Sequence, residues 1–479
     1  MLNKKHQVIT LCFCFSFIIH NSNQEVAMKR LDRWANRVGL FLCLGLWILA
    51  GCSSSSSSSS NNSDQPLDPA ISAQLQKVMN TVIAEYRIPG AVMGVRLADG
   101  ATWFGSSGTA SLSTHIDMTT NLIGKIGSVS KTFEATVVLQ LTEARNGSIL
   151  NLNQTLGQWM PAIRTLPDVP DNWQVPANWE ALTLRQLLNH TTGIIEYNYD
   201  PDFRDNYYLP AVPHVWAPYQ LVDISAKYPL EFPPGTAWLY SNTGYILLGM
   251  IVEAATGVSI ETQVQQRVIG PLWLYNTTFP VSPQFPEPHA QGYHDQNNNG
   301  FLESFENVTA LDPSYSWAAG AIVMDIHDFL NYSIFLARGD LLETQTQAQR
   351  TTWFPPASPP LTGYGLGLSN EQGYIGHIGD ILGYQAIITY RDGNAIAVMV
   401  NGEPPEQVSG DLTFNSVAHE IFKRSLPILS LPPITSNTAA SQPATGVKNT
   451  ATSQVADQTI APSSQTTVLK QLTPEYGRF

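Results

Sequence analysis

The chain has 479 residues, 43% of them hydrophobic and 10% aromatic, enough for a core larger than one ordinary domain needs. Its formal net charge is −13 and no Lys/Arg run interrupts the body, which argues against a nucleic-acid partner. The four cysteines, Cys12, Cys14, Cys43 and Cys52, all fall near the start, so the body has none to pair in a disulfide.

Lys29, Arg30, Arg33 and Arg37 precede an apolar run from Val38 to Ala50, and Leu49-Ala50-Gly51-Cys52 closes it as a small-residue cleavage site. The run is too short to span a bilayer well. The tetrapeptide resembles the lipobox of bacterial lipoproteins, which makes Cys52 the expected lipidation site and residues 1–51 a leader. Met28 stands directly before the charged stretch and is an alternative start. Cleavage before Cys52 removes six cationic and two acidic side chains and leaves the chain near −17. Ser53, where an aspartate would signal retention, resembles an outer-membrane sorting signal. The expectation is a lipid-anchored monomer of the cell envelope, at the periplasmic face of the outer membrane if the cell is Gram-negative.

Residues 52–67 open on a serine run, Ser53 to Ser60, which buries nothing and reads as a flexible tether. A folded domain is expected over 68–428. Ile71, Leu75, Val78, Met79, Val82 and Ile83 keep helical spacing, and Pro89-Gly90 breaks the helix. Ala91–Leu97 and Thr102–Ser107 read as strands around Asp99-Gly100. A buried helix runs over Phe133–Arg145 and ends at Asn146-Gly147. The stretch from about 150 to 360 is rich in Trp, Tyr and Pro, with helices predicted at Leu184–Asn189, Gly244–Thr256 and Ile326–Ala337. Tyr374–His377, Tyr384–Tyr390 and Ala395–Val400 read as strands and Asp411–Arg424 as a last helix. Residues 429–479, Ser/Thr/Pro/Gln-rich, read as a disordered tail. The order predicts an α+β fold: an antiparallel sheet flanked by helices, a large and mostly helical lobe, and a cleft between them.

Ile126-Gly127-Ser128-Val129-Ser130-Lys131-Thr132-Phe133 sets a serine and a lysine three residues apart, on one face of a helix start. A hydroxyl becomes a nucleophile when a neighbouring base takes its proton, and a partly desolvated lysine can do so. Tyr240-Ser241-Asn242 offers a phenol and a carbonyl-orienting amide. Gly376-His377-Ile378-Gly379-Asp380 places a histidine and small residues where a substrate backbone can approach an edge strand. Leu187-Leu188-Asn189-His190-Thr191-Thr192-Gly193 looks like a supporting loop.

These motifs together resemble the penicillin-recognising serine hydrolases: class C β-lactamases, serine D-Ala-D-Ala carboxypeptidases and related esterases. The resemblance runs from about residue 69 to 425, and 315–338 looks more like the carboxypeptidase branch. It implies a β-lactamase/transpeptidase-like fold and an acyl-enzyme on Ser128, with no cofactor required. By the same resemblance Lys131 and Tyr240 share the proton traffic, with either open as the acylation base. Asn242 positions the acyl side, His377 stands where many relatives carry a lysine, and Ser128 and Asp380, beside Gly379, supply the oxyanion N–H groups. The substrate would be a small molecule or a peptidoglycan-like peptide, and the leading expectation is a D-alanyl-D-alanine carboxypeptidase-like hydrolase.

Two departures weaken that expectation and leave room for the alternative of an esterase or amidase on small neutral substrates. Ile378 lacks the hydroxyl that carboxylate-binding relatives carry there, and Asp380 is expected to add negative charge to the cleft. A catalytically inactive cell-wall-binding relative is the alternative from another class. Asp295, Asn297, Asn299, Gly300 and Glu306 fit the calcium-loop pattern D-x-N-x-N-G-x5-E, against which stands a plain Asn/Gly-rich turn. His190, His289, His294 and His327 show no ligand spacing and read as structural.

Overall fold

The computed structural model describes residues 65–203, 214–355, 360–410, 412, 414 and 416–435. The leader, the lipidation site, most of the tether and most of the tail lie outside the described residues.

The first helix, α1 (Pro69–Glu85), starts where Asp68 caps it, its Oδ1 accepting from the N–H of Ala70 at 2.7 Å and of Ile71 at 3.2 Å. Its buried stripe of Leu75, Met79, Val82 and Ile83 faces the sheet. Strands β1 (Gly90–Arg96) and β2 (Ala101–Ser111) form the hairpin expected from Asp99-Gly100, with Arg96 opposite Thr102. Next come α2 (Ser130–Thr142), α3 (Asn242–Thr256) and α4 (Ile326–Arg338). Then follow β3 (Tyr374–Ile381), β4 (Tyr384–Arg391), β5 (Asn394–Val400) and α5 (Val417–Ser425). The main strands lie in the order β2-β1-β5-β4-β3, all antiparallel, so segments 90–111 and 374–400, far apart in sequence, build one sheet.

Side chains alternate across this sheet and feed two cores. Ala91, Met93 and Val95 of β1, with Ile396, Val398 and Val400 of β5, face α1 and α5. Ala395, Ala397 and Met399 of β5, with Ala386 and Ile388 of β4, belong to the core on the other face, where α4 packs on the strands and α2 and α3 lie in the same cluster. Every residue of α2 from Ser130 to Leu141 is buried, so it shows no amphipathic pattern. The architecture is the expected α+β one, an antiparallel sheet with helices packed on both faces.

Boundaries shifted where tertiary pairing overrode local signals. β3 runs to Ile381, past the expected end at His377, because Ile378, Gly379 and Asp380 pair with Ile387, Ala386 and Gln385 of β4. The last helix begins at Val417, capped by Ser416, rather than at Asp411.

Candidate active site

Ser128 sits in a single 3-10 turn, Gly127–Val129, that leads directly into α2. Two glycines let this turn press on β3. Gly127 has φ +50°, and a Cβ there would stand 2.9 Å from the backbone N, C and O of Asp380. A Cβ on Gly379 would stand 1.9 Å from the carbonyl oxygen of Ile126. The amide of Asp380 is thereby held against the Ser128 turn, the placement a two-amide oxyanion site needs.

Lys131 lies one helical turn below Ser128 and is fully buried. Its Nζ donates to Asn242 Oδ1 and, at 2.7 Å, to the carbonyl of Ala319, and lies 3.0 Å from Ser128 Oγ. A neutral amine has two hydrogens and one lone pair; with both hydrogens engaged by these acceptors, the lone pair is left facing the serine hydroxyl. Burial pushes Lys131 down to about 7, against the pull of Glu196 and Glu134. Tyr240, two residues before α3, donates its phenol to Ser128 Oγ at 2.6 Å. Burial, then Tyr364, pushes that phenol well above its ordinary value. Ser128, Tyr240 and Asn242 are partly exposed, whereas Lys131 is closed off beneath them.

His377 enters through a chain of hydrogen bonds whose direction is fixed from one end. The N–H of Ser241 donates to His190 Nδ1 at 3.2 Å, so His190 carries its proton on Nε2 and gives it to Tyr364 Oη at 3.1 Å. Tyr364 then donates to His377 Nε2 at 2.8 Å, and His377 Nδ1–H donates to the carbonyl of Ile378 at 2.6 Å. His377 is therefore a neutral imidazole with both nitrogens engaged. Burial and the neighbouring Lys131 push it down to about 3. Its ring stands 6.5 Å from that of Tyr240.

The structure corrects one expectation. Asp380 and Ile378 do not turn their side chains to the cleft. Strand alternation puts them on the sheet face opposite His377, Gly379 and Ile381. Asp380 Oδ2 accepts from Gln385 Nε2 at 3.2 Å, and Gln385 in turn accepts the N–H of Val417 in α5. Ile378 packs into the core on the α1–α5 side. Only the backbone of Asp380 meets the Ser128 turn, so the cleft gains no negative charge from this residue. Arg350 is likewise turned away, donating to Thr136 Oγ1 and the carbonyl of Thr132 at 3.0 Å each.

Two contributors had no motif to announce them. Glu196 is buried and accepts from both the backbone N–H and the Nδ2 of Asn242. Tyr364 links the two histidines. The calcium-pattern loop is held by its own hydrogen bonds. Asp295 accepts from Asn299 N–H at 3.0 Å and Gly300 N–H at 2.8 Å, and buried Glu306 accepts from the N–H groups of Gln296 and Glu303 at 2.9 Å each. Among the described residues, no three His, Cys, Asp or Glu side chains group as a metal site.

A family profile described as Beta-lactamase matches residues 73–418. Penicillin-binding protein 4* of Bacillus subtilis (strain 168) is 24% identical over 369 residues, covering 73% of this chain and 75% of that protein. The solved D-stereospecific amidohydrolase from a Streptomyces species is 29% identical with a TM-score of 0.58, covering 70% of this chain and 96% of that one. The D-amino acid amidase of Ochrobactrum anthropi SV3 has a TM-score of 0.62 over 75% of this chain and 99% of that one; at 23% identity this is a likeness of fold.

Proposed function

The chain belongs to the beta-lactamase family of serine hydrolases, and from that premise we propose that it is an acyl-enzyme amidase or peptidase acting on small D-aminoacyl substrates whose leaving group carries no carboxylate. The observation that carries the reading is Lys131 Nζ, 3.0 Å from Ser128 Oγ with its hydrogens engaged elsewhere. Ser128 Oγ attacks the substrate carbonyl carbon and its proton passes to Lys131. The oxyanion is met by the backbone N–H groups of Ser128 and Asp380. Tyr240 gives its phenolic proton to the departing nitrogen and is reprotonated from Lys131. Water then cleaves the Ser128 ester by the reverse proton path. No cofactor takes part.

The neutral state of His377 supports the choice of leaving group, because an imidazole locked between Tyr364 and the Ile378 carbonyl offers a carboxylate no positive charge. Losing such a partner at about 4 Å is worth roughly 1–4 kcal/mol, or about one to three decades in kcat/KM. The name of the Streptomyces relative, an amidohydrolase specific for D-configured substrates, points the same way. The test is a panel of D- and L-amino acid p-nitroanilides, a D-Ala-D-Ala peptide, nitrocefin and short p-nitrophenyl esters. The D-configured anilides should lead. A lead for the D-Ala-D-Ala peptide would restore the carboxypeptidase reading, and silence of the whole panel would favour a wall-binding relative. The lipid anchor at Cys52 and the envelope location remain part of the same proposal.

A further inference from the structure

We propose that Glu196 is a positioning residue for the nucleophile's base: it locks the Asn242 amide and thereby aims the Lys131 lone pair at Ser128. The side chain lies six residues after His190, in the loop ahead of the Tyr197–Tyr199 turn, and is 4% exposed. One carboxylate oxygen accepts the backbone N–H of Asn242; the other accepts Asn242 Nδ2 at 2.9 Å. Burial pushes Glu196 above its ordinary value, while the two N–H donors of Asn242 and then Lys131 favour its charged form; as a carboxylate it accepts and cannot donate. Asn242 therefore has only one allowed orientation, Nδ2 toward Glu196 and Oδ1 toward Lys131. An amide turned by half a rotation would present N–H groups to Lys131 and draw the amine's lone pair away from the serine.

The same carboxyl is one of two acidic groups acting on Lys131; the other, Glu134, lies on α2 itself. Tyr240 and Tyr245 present their rings to the Nζ at 4.9 and 5.6 Å, and His190 and His377 complete the titratable surroundings. Removing a negative partner favours the neutral amine, so the proton leaves Lys131 at lower pH.

This inference rests on the acyl-enzyme reading of Ser128, and the experiment separates the two. Pre-steady-state acylation by a chromogenic substrate is followed against pH in the wild type, Glu196→Gln, Asn242→Ala and the double variant. Glu196→Gln should lower the acylation rate about tenfold to a hundredfold, leave KM within about twofold, and shift the ascending limb to lower pH. In the Asn242→Ala background the same substitution should change the rate by less than about twofold. If Glu196→Gln does not fold, Glu196→Asp is read instead: its charge holds the limb in place while the lengthened contact to Asn242 slows acylation. A full rate in either variant, an unmoved limb in Glu196→Gln, or an equal loss in the Asn242→Ala background overturns the proposal. A wild type that never acylates overturns the acyl-enzyme reading itself.

Discussion

Glu134 stands one turn beyond Lys131 on α2, 1% exposed, and neither carboxyl oxygen has a hydrogen-bond partner among the described residues. Burial pushes its pKa well above the ordinary 4.5, with Lys131 pulling the other way. A group whose folded pKa is raised resists ionisation in the native state. It therefore takes stability away as the pH rises above about 4.5, with the full penalty reached only above the folded value. Replacing it with methionine keeps the length and the helix propensity and removes the unpaired polar group. From the cost of burying an unpartnered polar group, Glu134→Met should gain about 1–3 kcal/mol at pH 8, a rise of roughly 2–6 °C in Tm. The gain should shrink toward pH 4, where the carboxyl is mostly protonated in both states and only the cost of burying it neutral is left. Paired thermal melts of wild type and variant at pH 4, 6 and 8 read this directly. A variant less stable than wild type at pH 8, with the deficit growing as pH rises, would refute the reasoning, because it would mean that Glu134 is ionised and paired with Lys131.

Gly379→Ala should cost about 1–3 kcal/mol of stability by overpacking and slow acylation about a hundredfold by displacing the Ser128 turn, since its Cβ would fall 1.9 Å from the Ile126 carbonyl; wild-type rates would remove the close approach from the account. Calcium added to chelator-treated protein should raise Tm if the Asp295 loop takes the ion its motif describes, and Asp295→Ala should abolish that rise; a flat titration leaves the loop as a hydrogen-bonded turn. Cys52→Ala should release the protein from the membrane fraction, and unchanged partition would sink the lipid anchor.

Much of this architecture was legible because its signals are local. Asp99-Gly100 marks a hairpin, the stripe from Leu75 to Ile83 marks an amphipathic helix, and the Ser-x-x-Lys and Tyr-x-Asn motifs lie at helix starts. The side-chain direction of Asp380 was not legible because the sequence signal for the strand stops at His377, short of where pairing with β4 carries it. Once the strand is known to reach Ile381, alternation from His377 alone sends Ile378 and Asp380 to the far face. Glu196 and Tyr364 were not legible. Each acts through a partner distant in sequence, Asn242 for one and the two histidines for the other, and no spacing within their own segments announces it.

The central claim is that Ser128 carries the acyl group, and one measurement reaches it most directly. The full chain is treated with a fluorescent penicillin or a fluorophosphonate, digested, and the peptide that carries Ser128 is weighed. The account predicts a stoichiometric adduct on Ser128 that forms faster as Lys131 loses its proton near pH 7 and is absent from Ser128→Ala. An adduct on another residue, or undiminished labelling of Ser128→Ala, would contradict it.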